Sequence, residues 1–244
     1  MYKILILGIL FSFSLTALQE DMLKVLGNMK WKGFKANMRL DLKREGKESI
    51  IKKMKIKALA EKEGQKILAV FTFPSNMKGM AFLAYCDKKA KDKRYIYLRA
   101  LRRVKKVPAN GENFMLRDFL SLYLLKPRTE LWNYKRLKED EEEIVLEAKA
   151  KNEEIINLTG YSKMKLYIDK KDYHIKKTLF YSVGGKLIRI QKVISTKKIK
   201  GNIFVEKMET DDLQEGVKAE ITLSDIKVEK PSKKFFTVRY LKTL

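Results

Sequence analysis

The chain has 244 residues, with 54 Lys and Arg against 30 Asp and Glu, a formal charge of +24 and 45% hydrophobic side chains. That apolar share excludes a disordered polymer, and the length suits one sizeable domain or at most two small ones. The charge serves solubility and draws anionic partners such as lipid headgroups, while its single cysteine, Cys86, excludes an intrachain disulfide, a thiolate metal cluster and a Cys-x-x-Cys redox pair.

The first seventeen residues have the layout of a secretory signal peptide. Lys3 precedes an apolar run from Ile4 to Phe13, small residues lead to Ala17, and Gln19-Glu20-Asp21 opens a charged stretch. The run is short of the ~20 residues that span a bilayer. Cleavage near Ala17 is expected, leaving 18–244 as a single domain outside the cytoplasm, and export argues against a nucleic-acid partner. Leu18, Met22, Val25, Leu26 and Met29 then fall at helical spacing, so 18–29 reads as an amphipathic helix.

From Phe34 the period changes to two. Phe34, Ala36, Met38, Leu40 and Leu42 alternate with polar residues, and Ile51 to Ala60 follows after a turn at 44–47. Ile67 to Phe73 is apolar on both faces, which predicts a strand covered on both sides. Met80–Tyr85 and Arg94–Leu98 continue the strands, with Cys86 reading as a small buried side chain. Residues Glu112 to Leu125 return to helical spacing and stop at Lys126-Pro127. The acidic run Glu139 to Glu143 reads as a solvated turn, since it lacks the alternating oxygen ligands of a calcium loop. Strands are expected over 163–168, 173–182, 187–194, 202–208 and 217–226, with Gly184-Gly185 as a hairpin turn. A meander of this kind points to an antiparallel barrel or sandwich rather than to a parallel sheet, which would need more crossover helices.

Catalytic equipment is sparse. His174 is the only histidine and falls in an expected strand, and no nucleophile elbow, phosphate loop or dinucleotide fingerprint occurs. Tyr161 and Ser162 read as a turn rather than as nucleophiles. The chain therefore reads as non-enzymatic, with no metal and no cofactor. Its resource is apolar strand faces, which either pack on one another as ordinary core or enclose a cavity for a hydrocarbon chain.

Three stretches carry a family resemblance: 73–83 (FPSNMKGMAFL); 95–104 (YIYLRALRRV) with 113–115 (NFM) and Asp118-Phe119; and the C-terminal strand series ending in 236–241 (FTVRYL). Together they resemble the LolA-like branch of the periplasmic outer-membrane lipoprotein-sorting proteins. The resemblance implies a mainly β (α+β) fold, with a strongly curved antiparallel sheet forming an incomplete barrel covered by helices. It implies a periplasmic carrier that binds lipid or lipoprotein acyl chains for transport toward the outer membrane, without catalytic residues. On this reading Phe71, Phe73, Phe82, Tyr95 and Tyr97 face the cavity, although strand parity leaves the inward face open because both faces are apolar. Phe114, Met115, Phe119, Leu122 and Tyr123 form a lid. Arg99, Arg102, Arg103, Lys105 and Lys106 meet an anionic membrane surface or an inner-membrane transporter, or are a solvated face. The rival reading is a non-catalytic accessory subunit of a membrane transporter, with a filled interior and no cargo.

Overall fold

A computed structural model describes residues 20–89, 92–108 and 126–244. Thirteen strands form one antiparallel sheet. The first six are β1 (Gly33–Arg44), β2 (Ile50–Glu61), β3 (Gly64–Phe73), β4 (Ala81–Asp87), β5 (Lys93–Leu98) and β6 (Arg103–Val107). The remaining seven are β7 (Trp132–Glu139), β8 (Glu143–Ala150), β9 (Lys163–Asp169), β10 (Ile175–Tyr181), β11 (Leu187–Ile199), β12 (Asn202–Asp212) and β13 (Val217–Val228). Among the described residues three α-helices accompany them: α1 over 20–27, α2 (Glu153–Thr159) and α3 (Val238–Leu241).

The strand order is β6-β5-β4-β3-β2-β1-β13-β12-β11-β10-β9-β8-β7. The chain thus starts in the middle, meanders out to one edge at β6, restarts at the opposite edge with β7, and walks back until β13 pairs with β1. Strands β6 and β7, consecutive in sequence, are thus the two opposite edges of the strand order. The expected helix at 112–125, with Phe114, Met115, Phe119, Leu122 and Tyr123, lies outside the described residues, as does the expected signal segment.

Local sequence explains the elements. In β1 the apolar positions Phe34, Ala36, Met38, Leu40 and Leu42 are buried and pair in register with β2 and β13, as alternation requires for a sheet with one packed face. In β3 consecutive residues Ile67, Leu68 and Ala69 are all buried, so both faces are covered as the sequence indicates. The outer cover is the C-terminal segment: Phe236 and Leu241 of α3 and its approach pack on Leu59, Leu68, Ala81 and Leu83, and the Tyr85 hydroxyl donates to the Phe236 carbonyl at 2.9 Å.

Two local features differ from expectation. Helix α2 was not anticipated, although its ends are marked: the Asn152 side chain accepts from the Ile155 N–H at 3.0 Å, and Gly160 closes the helix at φ 79°. His174 is not in a strand. It precedes β10, in a turn where Tyr173 takes φ 53° and the Asp172 carboxylate bonds the His174 ring. The acidic run does form the bend between β7 and β8, where Asp140 accepts the Glu142 and Glu143 N–H groups. Strand β11 runs past its expected end at Ile194, and the hairpin to β12 turns on Lys200 and Gly201 at φ 47° and 72°.

Candidate functional site: an apolar cavity under the first helix

A cavity of about 190 Å³ lies between α1 and the inner face of the sheet. Its walls require a bent sheet. Phe34 on β1 and Trp132 on β7 both line it, yet β1 and β7 are seven steps apart in the strand order. At about 4.8 Å per step a flat sheet would hold them about 34 Å apart. The sheet curls into an unclosed half-barrel, with β6 and β7 left as its two edges. Register shifts in several ladders, including β1–β13, β9–β10 and β11–β12, supply the local twist.

Helix α1 is the roof. Its Met22 and Val25 point into the cavity, while Leu23 faces solvent. The helix is tied down at both ends. The buried Asp21 carboxylate accepts from Arg136 on β7, with the Arg136 Nε at 3.2 Å. Beyond the last turn, the Asn28 side-chain amide donates to the Asp172 carbonyl and its own carbonyl accepts from the Ile203 N–H at 2.8 Å. Helix α2 packs on the same inner face through Ile155 and Leu158.

The floor comes from the middle of the sheet: Phe180 on β10, Val193 on β11, Met208 on β12 and Leu223 on β13. Trp31 stands at the side, its ring edge-on to Phe34 at 5.0 Å, and Phe34 meets Phe204 at 5.3 Å. The protein's two tryptophans, Trp31 and Trp132, are both cavity walls. On the same inner face, beside Phe180, the buried Arg189 donates through Nε to Asp212 at 3.0 Å and through Nη1 to the Tyr161 hydroxyl, which links β11, β12 and the chain after α2.

Polar side chains interrupt the apolar wall, among them Asn28, Arg128, Thr178 and Gln191. Burial pushes the Tyr134 phenol up, so it stays neutral. Burial also lowers the Lys126 ammonium, whose Nζ sits 4.7 Å above the Trp31 ring centre. The Lys126 backbone is clamped by the Gln65 side chain, which donates to its carbonyl at 2.9 Å and accepts from its N–H at 2.8 Å. Two residues on, Arg128 donates to the Asp92 carboxylate at 2.7 Å and to the Asp87 carbonyl at 3.0 Å.

The structure divides the residues named from sequence. Phe71 and Phe82 lie on the cavity-side face, in one packed cluster with Phe34 and Met208. Tyr95 and Tyr97 are on the other face. Tyr97 pairs with Ala81 and Tyr95 with Leu83, so each shares its partner's side of the sheet, against the C-terminal segment. Phe73 is 43% exposed at the end of β3, with Lys53 above its ring. None of these five lines the cavity. Arg99, Arg102, Arg103, Lys105 and Lys106 are all exposed at the β6 edge, next to Leu101, which is 59% exposed. The lining residues Trp31, Lys126 and Trp132 were not singled out as such from sequence; Trp31 and Lys126 lie outside the regular elements and Trp132 opens β7, where periodicity gives no signal.

Reactive chemistry is muted among the described residues. Burial pushes the Cys86 thiol up to about 12, so it is neutral at any physiological pH. Asp169, Asp172 and His174 bring oxygen and nitrogen atoms within 4.8 Å of one another, but bonds within the turn account for that grouping: Asp169 accepts the Lys171 N–H and Asp172 holds the His174 ring.

A protein-family model whose description reads "Uncharacterized protein" matches residues 63–243, well over half of the chain. The chain belongs to that family. Solved structures share the fold. An outer membrane lipoprotein-sorting protein domain from Vibrio parahaemolyticus is 24% identical, with a TM-score of 0.81 over 95% of this chain and 99% of that one. A DUF1329 family protein from Desulfovibrio piger is 18% identical, with a TM-score of 0.82 over 93% and 99%. A LolA superfamily protein from Nitrosomonas europaea is 16% identical, with a TM-score of 0.72 over 91% and 98%. The fold is LolA-like: a curved, unclosed antiparallel sheet with few helices, as the sequence resemblance implied. No curated protein shows significant sequence similarity to the chain.

Proposed function

We propose that this protein is a periplasmic carrier that shelters an acyl chain of a lipid or lipoprotein in the cavity under α1 and moves it toward the outer membrane. The observation that carries the reading is the cavity itself: about 190 Å³ of space inside a half-barrel, walled largely by Met, Val, Leu, Phe and Trp side chains. For comparison, an apolar cavity of about 150 Å³ stays dry and admits benzene, so this one takes part of a hydrocarbon tail. The LolA-like fold, shared with a lipoprotein-sorting domain, supports the same reading. So does the N-terminal sequence, which we read as a leader cleaved near Ala17. The role is binding without catalysis, and it calls for no cofactor.

The exposed basic edge complements it. Arg99, Arg102, Arg103, Lys105 and Lys106 would hold the loaded carrier against an anionic membrane surface or an acidic face of an inner-membrane transporter, at roughly 1 kcal/mol per residue. Native mass spectrometry of the gently purified mature protein tests the carrier role. A co-purifying lipid of defined mass is the expected result. A clean apo mass together with no uptake of a fluorescent fatty acid refutes it, and leaves a transporter accessory subunit without cargo.

A further inference from the structure

We propose that the cavity selects an amphiphile with an anionic head, a carboxylate or a phosphate on an acyl tail, and that Lys126 is the residue that recognises the head. The inference rests on the carrier reading and adds the chemistry of its ligand.

The geometry is that of an ammonium waiting for a counter-ion. Lys126 lines the cavity, half-buried, with its charge over the Trp31 face. Several other partly covered lysines have acidic partners: Lys66 pairs with Glu61, Lys170 with Glu139 at 2.9 Å, and Lys176 with Glu143 at 2.9 Å; Lys57 and Lys177 also rest on aromatic rings, but neither lines the cavity. Among the described residues Lys126 has no carboxylate within 4.0 Å. The neighbouring cation, Arg128, is committed to Asp92 and to the Asp87 carbonyl. Trp31 takes only one side of the ammonium, and an ammonium carries three N–H donors. The donors left over sit at the boundary between water and an apolar pocket.

The position is also built rather than incidental. Gln65 bonds both the N–H and the carbonyl of Lys126, so the stem of the side chain starts from a fixed point. Trp31 is itself held by Phe34. Lys126 adjoins the cavity walls Trp31 and Phe34, so a tail lodged in the cavity brings its head within reach of this ammonium. An anionic head restores what the ammonium loses by leaving water, whereas a neutral or cationic head does not.

The experiment uses the mature chain and follows Trp31 and Trp132 fluorescence during titration with palmitate, hexadecyl phosphate, hexadecanol and hexadecylamine. Palmitate and hexadecyl phosphate are expected to bind roughly ten-fold to a hundred-fold tighter than hexadecanol, as one charge-assisted contact allows. Lys126→Met keeps the apolar stem and is expected to erase that preference while leaving hexadecanol affinity unchanged. Lys24→Met, which removes an exposed lysine paired with Glu20, is expected to retain it. Acetate and inorganic phosphate at millimolar concentration are expected not to compete, which separates a headed tail from a free anion. Equal binding of palmitate and hexadecanol by the unmodified protein overturns the proposal, as does a preference that survives Lys126→Met, or competition by inorganic phosphate alone. Failure of all four amphiphiles to bind overturns the carrier reading itself, a result distinct from loss of head selectivity.

Discussion

Filling the cavity from its floor is the sharpest test of the carrier reading. Val193 sits on β11 opposite Met208 of β12, and both side chains line the cavity. If about 150 Å³ accommodates the six carbons of benzene, the 190 Å³ observed scales to roughly eight carbons of an alkyl tail. At about 0.8 kcal/mol per buried methylene, that tail contributes about 6 kcal/mol to binding. Val193→Phe adds roughly four carbons of side chain to the same space, so it should displace about half of the tail and remove about 3 kcal/mol. The dissociation constant for an acyl chain of ten or more carbons should then rise about two-hundred-fold. Quenching of Trp31 and Trp132 by a brominated fatty acid reads this directly, because both tryptophans are cavity walls. The added ring fills a void, so thermal stability should stay level or rise. An unchanged dissociation constant in a variant with an unchanged melting temperature would show that tails do not enter here.

The other predictions probe what holds the bowl. Asp212→Ala strips the buried Arg189 of its carboxylate partner and should cost about 3–5 kcal/mol in urea unfolding; a loss under about 1 kcal/mol would show that the pair is idle. Phe236→Ala empties a position 2% exposed against the outer face of β3 and β4. It should cost about 3–5 kcal/mol yet leave acyl affinity unchanged at temperatures where the variant is folded, since the cavity is on the other face. The Cys86 thiol ionises at about 12 in the folded protein against 9.0 as a free side chain, because burial disfavours the thiolate. The folded state therefore binds more protons between those values, and stability falls as pH rises from about 9 to about 12, by up to about 1.4 kcal/mol per pH unit. Cys86→Ala should flatten that slope by one proton, and pH-dependent unfolding curves that coincide for the two proteins would contradict the assignment. Replacing Arg99, Arg102 and Arg103 with glutamate should abolish sedimentation with anionic vesicles at low salt while leaving acyl binding intact; retained sedimentation would remove the headgroup role of that edge.

Much of the fold was legible because its strands are. The alternation from Phe34 to Leu42 marks β1 and its buried face, and the doubly apolar Ile67 to Phe73 announces a strand with two covers. What supplies the second cover was not legible, since Phe236 lies far along the chain from Leu68. The same distant cover hides the parity of β4 and β5. With Leu83 and Tyr97 buried outside as well as Phe82 inside, neither face reads as polar, and so Tyr95 and Tyr97 were assigned to the cavity side. Helix α2 has seven residues, too few for a helical period to stand out, and only its capping residues, Asn152 and Gly160, mark it. The cavity draws on Trp31 and on the 126–132 stretch with Lys126 and Trp132, two parts of the chain far apart in sequence that the curl of the sheet brings together.

The two halves of the sheet divide the work of stability and function. Strands β2 to β4 are packed inside by side chains such as Met54, Ile67 and Phe82, and outside by the C-terminal segment. A doubly covered sheet of this kind gains apolar burial on both faces and forms the rigid side of the bowl. The hollow lies over β9 to β13 and β1, under α1. The hollow opens in part to solvent, so water reaches polar groups such as Asn28 and Gln191, while its Met, Phe and Trp walls are left short of apolar contacts. A hydrocarbon tail restores the missing dispersion contacts and the burial together. The half with the hollow is the one roofed by α1, which is held to the sheet both by the buried Met22 and Val25 and by the hydrogen bonds of Asp21 and Asn28, so apolar packing and polar ties together keep the roof in place.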